Sequence, residues 1–112
     1  MKEERPWGWY EVIDKGSSYK VKSIQVEPDK SLSLQRHMHR SEHWVVVEGT
    51  ALVQVGDDKE FVNVNEGSYV PICAIHRLSN PGKIPLRIIE VQCGTYLEED
   101  DIERFDDDFG RV

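Results

Sequence analysis

Cysteine is nearly absent. Only Cys73 and Cys93 occur in 112 residues, which excludes a disulfide-stapled scaffold and favours a reducing, cytoplasmic setting. Each is expected as a small buried apolar side chain rather than a reactive thiol. Long apolar runs are missing too: none approaches the ~20 residues that a membrane-spanning helix needs, so no membrane partner is expected. The opening MKEERPWGWY is charged and then aromatic, which does not read as a secretory leader. A basic surplus is also lacking. Fourteen Lys and Arg face 21 Asp and Glu, a net charge of −7, and a chain without a basic stripe is a poor nucleic-acid partner. The acidic excess is local. Residues 98–108, EEDDIERFDDD, hold eight acids and one arginine, so the remainder is balanced.

Sustained helical periodicity is the last absence, and short β-type runs stand in its place. WYEVID, YKVKSIQVE, SLSLQRH, HWVVVEG, TALVQVG, KEFVNVN, GSYVPI, IHRLSN and LRIIEVQCG alternate with turn signals such as KGSS, EPDK, GDD, NEG and NPGK. This pattern predicts one all-β domain, an antiparallel sandwich or barrel over residues 1–112, with strands over roughly 9–93 and an acidic tail over 98–112. Composition reads the tail as solvated surface with at most a short helical turn. Ile102 and Phe105, at i and i+3, offer a stripe by which it would dock instead. Exposed strand edges in so small a barrel favour pairing with a second copy, so a homodimer is expected.

Histidine is scarce and concentrated. Three of the four fall within LQRHMHRSEHW (34–44), and the fourth is His76. On a regular strand Gln35, His37 and His39 share one face while Leu34, Arg36 and Met38 take the other. That polar face must look into a ligand-lined cavity, or a bulge intervenes. Imidazoles with the nearby Glu42 suit a divalent transition ion: Zn, Mn, Co, Fe or Ni. Chemistry alone admits His37, His39 and His76 with Glu42 as one ligand set.

Two spaced motifs sharpen this. Gln35-x-His37-x4-Glu42-x6-Gly49 resembles the first cupin motif, with glutamine where most cupins carry a histidine. Pro71-x-Cys73-x2-His76-x3-Asn80 resembles the second, with cysteine where glycine is usual. The resemblance implies a cupin double-stranded β-helix, the jelly-roll architecture. RPWGWYEV (5–12), LSLQRHMHRSEHWVVVEGTALV (32–53) and NPGKIPLRIIEVQCGTYLEEDDIERFDDDFGR (80–111) are similar to the type II mannose-6-phosphate isomerase domain, which commonly follows a mannose-1-phosphate guanylyltransferase domain. Pro28-Asp29-Lys30 departs from that pattern, where PGK is more usual. The family pattern implies Gln35, His37, Glu42 and His76 as metal ligands, and a small phosphorylated sugar as substrate. No glycine-rich nucleotide motif is found, so nucleotide transfer is not expected of these residues.

Aldose–ketose isomerisation moves a proton between C1 and C2 of an open-chain sugar. It needs a Lewis acid, a base and a cation for the phosphate. His39 and Glu90 are the candidate bases, Glu90 because it lies among apolar neighbours that raise a carboxyl pKa. Lys22 shares a face with Ile24 and Val26, an unusual place for an ammonium without a partner or substrate. Arg40, Arg77 and Arg87 are candidates for phosphate. Trp44, two residues after Glu42, is expected on the same cavity wall, whereas Trp7 and Trp9 are expected to cap the barrel. The reaction expected is interconversion of mannose 6-phosphate and fructose 6-phosphate. A non-catalytic metal- and sugar-binding cupin module is the alternative, and an Fe²⁺ dioxygenase the third reading.

Overall fold

The computed structural model describes residues 1–112 and contains strands but no helix. Eleven strands run β1 (Lys2–Arg5), β2 (Gly8–Lys15), β3 (Tyr19–Val26), β4 (Leu34–Arg36), β5 (Arg40–Glu48), β6 (Ala51–Val55), β7 (Asp58–Val62), β8 (Gly67–Val70), β9 (His76–Ser79), β10 (Leu86–Gly94) and β11 (Glu103–Asp106). Nine correspond to the expected runs. The two terminal strands, β1 and β11, lie outside the range 9–93.

Two antiparallel sheets result, ordered β1-β2-β3-β10-β5-β8 and β11-β4-β9-β6-β7. The two-residue period sorts side chains cleanly. In β5 Arg40, Glu42, Trp44 and Val46 are buried while His43, Val45 and Val47 are exposed, and in β10 Leu86, Ile88, Glu90 and Gln92 are buried. The core between the sheets gathers Val26, Val46, Ala51, Val53, Leu78, Leu86 and Ile88, each at 2% exposure or less. One part of the space between the sheets is polar rather than apolar, and there the chemistry collects.

The acidic tail is not a solvated appendage, and it forms no helical turn. Glu103–Asp106 pairs antiparallel with β4, and Ile102 reaches into the polar cavity. Both cysteines also differ from expectation. Cys93 takes the outward parity of β10, Cys73 lies in the turn before β9, and both are exposed.

The two positions where glycine is usual in the related pattern prove to have left-handed backbone. Asp29 has φ 63° and Cys73 φ 67°. Aspartate tolerates that region better than cysteine does. Cys73→Gly therefore relieves a Cβ clash, offset in part by the greater freedom of glycine in the unfolded chain. The variant is expected to gain up to about 1 kcal/mol, read as a higher midpoint in urea. Asp29→Gly should gain less. Asn80 closes the NPGK turn from inside: its Nδ2 donates to the carbonyls of Val26 (2.9 Å) and Ile84 (2.8 Å), and its Oδ1 accepts the Gly82 N–H (3.0 Å).

Candidate metal centre

Three chain segments bring His37, Glu42 and His76 together. One ligand atom from each lies within 4.8 Å of the others, and all three residues are buried. His37 follows the end of β4, Glu42 projects inward from β5, and His76 opens β9. His37 Nε2 is 3.4 Å from Glu42 Oε2, and His76 Nε2 is 3.9 Å from Glu42 Oε1.

The remaining ring nitrogens set the tautomers. His37 Nδ1 donates to the Asp101 carbonyl (2.7 Å) and His76 Nδ1 to the Ala74 carbonyl (2.9 Å). Both Nε2 lone pairs then face the cluster, the arrangement expected of metal-ligating histidines. His76 Nε2 is buried with no hydrogen-bond partner, an acceptor left open toward its neighbours. Burial, with Arg40 adding to it, lowers the His37 pKa to about 4; burial also lowers that of His76. Both imidazoles are neutral at pH 7, as ligation requires. Two neutral imidazoles and a carboxylate fit a divalent transition ion. Arg40 competes for the same atoms. Its Nε donates to Glu42 Oε2 (2.8 Å), and its Nη2 lies 3.3 Å from His37 Nε2.

Gln35 lines the same cavity and sits directly across from His76 in the β4–β9 pairing. Its Oε1 accepts the Ser33 hydroxyl (2.8 Å). His39 does not join the cluster, as the rival ligand set requires, and it does not line the cavity, where a histidine base would stand. The reason is a bend at Met38–His39. Both backbone N–H groups donate to the Asp101 carboxylate at 3.0 Å, so strand parity ends at His37. The His39 side chain, 55% exposed, lies against Asp101 and Tyr96. Burial opposes ionisation of Asp101, but these N–H groups hold its pKa below the usual value. Cys73 is also absent from the cluster; its Sγ lies 3.9 Å from Met38 Sδ.

Glu90, Lys22 and Trp44 form a row across the first sheet, Glu90 facing Lys22 on β3 and Trp44 on β5. Trp44 Nε1 donates to both Glu42 Oε1 (3.1 Å) and Glu90 Oε2 (3.0 Å), drawing two carboxyls onto one N–H. Burial first, and then the Glu42 charge, raise the Glu90 pKa to about 7. Lys22 Nζ bonds Glu99 Oε2 at 2.7 Å and stands 4.1 Å from the Tyr10 ring centre. Glu99 comes from the tail, and Lys22 lowers its pKa against the effect of burial. Arg77 lies outside the cavity, bonded to the Leu32 carbonyl and Asp106. Arg87 also lies outside it, with its guanidinium over Trp9 and bonded to Gln25. Trp7, expected as a cap, is a cavity wall.

The pKa pattern predicts acid sensitivity of the metal-free protein. A histidine with a depressed folded pKa contributes stability above its unfolded value, near 6.5, and loses it as pH falls toward the folded value. His37 and His76 both act this way. Glu90 acts oppositely, favouring the fold below 4.5 and losing that contribution as pH rises through about 7. Two histidines outweigh one carboxyl between pH 6.5 and 4.5. Stability should therefore fall on acidification, by at most about 1.4 kcal/mol per pH unit, the slope for a net uptake of one proton on unfolding. Urea unfolding of chelator-treated protein across this range reads the slope directly.

The two facing antiparallel sheets, with this cluster held between them, define a cupin double-stranded β-helix. The cupin domain of Cnp3 from Schizosaccharomyces pombe superposes with a TM-score of 0.74 at 14% identity, over 77% of this chain and 64% of that one. Residues 1–107 match the family described as mannose-6-phosphate isomerase C-terminal, and the chain belongs to that family. It is 57% identical over 108 residues to the alginate biosynthesis protein AlgA of Pseudomonas putida. It is 56% identical over 108 residues to the mannose-1-phosphate guanylyltransferase ManC of Salmonella typhimurium. Each alignment covers 96% of this chain but 22% of the relative, so the chain spans about a fifth of their length.

Proposed function

We propose that this domain interconverts mannose 6-phosphate and fructose 6-phosphate through a cis-enediolate, supplying precursors for polysaccharide and nucleotide-sugar synthesis. The observation that carries the proposal is one buried cavity lined by His37, Glu42, Glu90, Lys22 and Arg40, with His76 completing the cluster at its wall. Family membership supports the same reaction, and the relatives' names point to polysaccharide synthesis and mannose-phosphate chemistry. His37, Glu42 and His76 would hold the ion, with Gln35 beside them as the fourth donor. A divalent ion there supplies the Lewis acidity that polarises a sugar carbonyl.

The chain's own groups supply the rest. Glu90 takes the proton from one carbon and returns it to the other; a carboxyl titrating near neutrality suits both directions. Trp44 and Gln92 fix its orientation, Gln92 Nε2 donating to Glu90 Oε1 at 2.7 Å. Arg40 and Lys22 place positive charge where oxygen charge develops. Stoichiometric metal analysis followed by an isomerase assay in D₂O tests the reading. Turnover with deuterium entering at C1 or C2 is expected. Metal-loaded protein that binds hexose phosphates without exchanging a proton would decide for a binding module instead.

A further inference from the structure

The cavity cations are not equally neutralised. Arg40 is paired with Glu42 (2.8 Å), Lys22 with Glu99 (2.7 Å) and Arg111 with Asp107 (2.7 Å). Arg5 has no carboxylate partner; it donates to the Glu4 carbonyl and the Tyr10 hydroxyl. Arg104 is more exceptional. The one acid whose charge acts on it, Asp107, is held at both carboxylate oxygens by Arg111, and the buried Nε of Arg104 has no hydrogen-bond partner.

We propose that Arg104, flanked by Arg5 and Arg111, is the docking point for the phosphoryl group of the substrate. The inference rests on the sugar-phosphate reading above. A half-buried guanidinium facing two others is costly unless something anionic completes it. Burial, and then the charges of Arg111 and Arg5, pull the Arg104 pKa down against the single opposing effect of Asp107. A phosphoryl dianion matches guanidinium forks in both charge and geometry.

The register places this subsite at a useful distance from the metal centre. Arg104 faces Gln35 across the β11–β4 pairing, and Gln35 faces His76 across β4–β9. Directly paired residues project from the same face of a sheet. The three therefore form an inward row with Arg104 two strands, roughly 10 Å, from His76. A phosphoryl group on Arg104 lets a short carbon chain run past Gln35 with its far end at the cluster. Arg5 comes from β1 and Arg104 from β11, the edge strands of the two sheets. The subsite thus forms where both open edges meet. Arg77 and Arg87, nominated from charge alone, lie outside the cavity, Arg77 on the Leu32 carbonyl and Asp106 and Arg87 on Gln25.

The test uses the metal-loaded full chain, with mannose 6-phosphate as substrate and inorganic phosphate as competitive probe. Arg104→Gln is expected to raise KM and the phosphate inhibition constant together, by about 10- to 100-fold, the loss typical of a charge-assisted contact. Turnover at saturation and metal content should stay within about threefold, with Arg104→Lys intermediate. Arg87→Gln should change neither constant. If Arg104→Gln loses its β-type circular dichroism, Arg5→Gln and Arg104→Lys carry the same comparison. Unchanged KM and phosphate inhibition in a folded variant overturn the subsite while leaving the isomerase reading intact. A wild-type protein that isomerises nothing, yet binds inorganic phosphate only while Arg104 is present, keeps the subsite and rejects the isomerase reading.

Discussion

His76→Ala is expected to weaken binding of a divalent transition ion at least about 100-fold, since a four-donor site of 10–16 kcal/mol gives roughly 3 kcal/mol per donor. The imidazole lost is the one whose buried Nε2 has no partner within the protein, so its removal breaks no existing hydrogen bond at that atom. His37→Ala should cost a similar amount in affinity. His39→Ala should leave affinity unchanged, because that side chain lies at the surface against Tyr96. Asp101→Ala is the informative intermediate. It removes no donor from the cluster, but it frees the Met38 and His39 N–H groups that hold the bend. A 10- to 100-fold loss is expected, the range for groups that orient a ligand. Titration with Zn²⁺ or Mn²⁺ against a competing chelator measures all four variants. Loss of binding in His39→Ala would return the ligand assignment to the set containing His39, whereas tight binding by His76→Ala would overturn both sets.

Asp101 also shows where reading the sequence stops. The two-residue period correctly placed Lys22 with Ile24 and Val26, and Trp44 with Glu42, because β3 and β5 are long, regular and buried on one face. The motif residues His37, Glu42 and His76 come together in space for the same reason: short turns and regular strands translate spacing into position. Gln35, His37 and His39 share a parity in the sequence but not in space. The bend that separates them is made by a carboxylate more than 60 positions away, and no local pattern contains that information. The tail misleads in another way. Its acids dominate the composition, yet Glu99, Asp101, Ile102 and Arg104 each point to a particular partner or to the cavity. Averaging charge over a segment conceals residues that alternate between faces. The phosphate candidates Arg77 and Arg87 lie outside the cavity, because charge alone does not say where a guanidinium points.

Glu90→Gln is expected to abolish turnover while making the metal-free protein more stable. The substitution keeps the shape and removes the proton carrier, so kcat should fall by about 10²- to 10⁴-fold, the range for a general acid–base group. Metal content and KM should change little, and deuterium should no longer enter the sugar from D₂O. Folding is protected by a neighbouring group. Glu90 accepts from Trp44 Nε1 and Gln92 Nε2, while Gln92 Oε1 is buried without a partner. A flip of the Gln92 amide lets a glutamine at position 90 donate to Oε1 and still accept from Trp44. The gain in stability depends on pH in a definite direction. A carboxyl raised from 4.5 to about 7 by burial and by Glu42 favours the fold below 4.5 and penalises it as pH rises through 7. That difference corresponds to about 3 kcal/mol once the group is fully ionised. Metal-free Glu90→Gln should therefore gain up to about 3 kcal/mol over wild type at pH 8.5, and nothing at pH 4. Urea midpoints at the two pH values, beside the kinetic comparison, separate this from a merely structural role. A Glu90 that only supports packing predicts normal turnover in Gln and no pH-dependent gain. A carboxyl kept buried at the expense of stability, and needed for proton transfer, predicts both effects together.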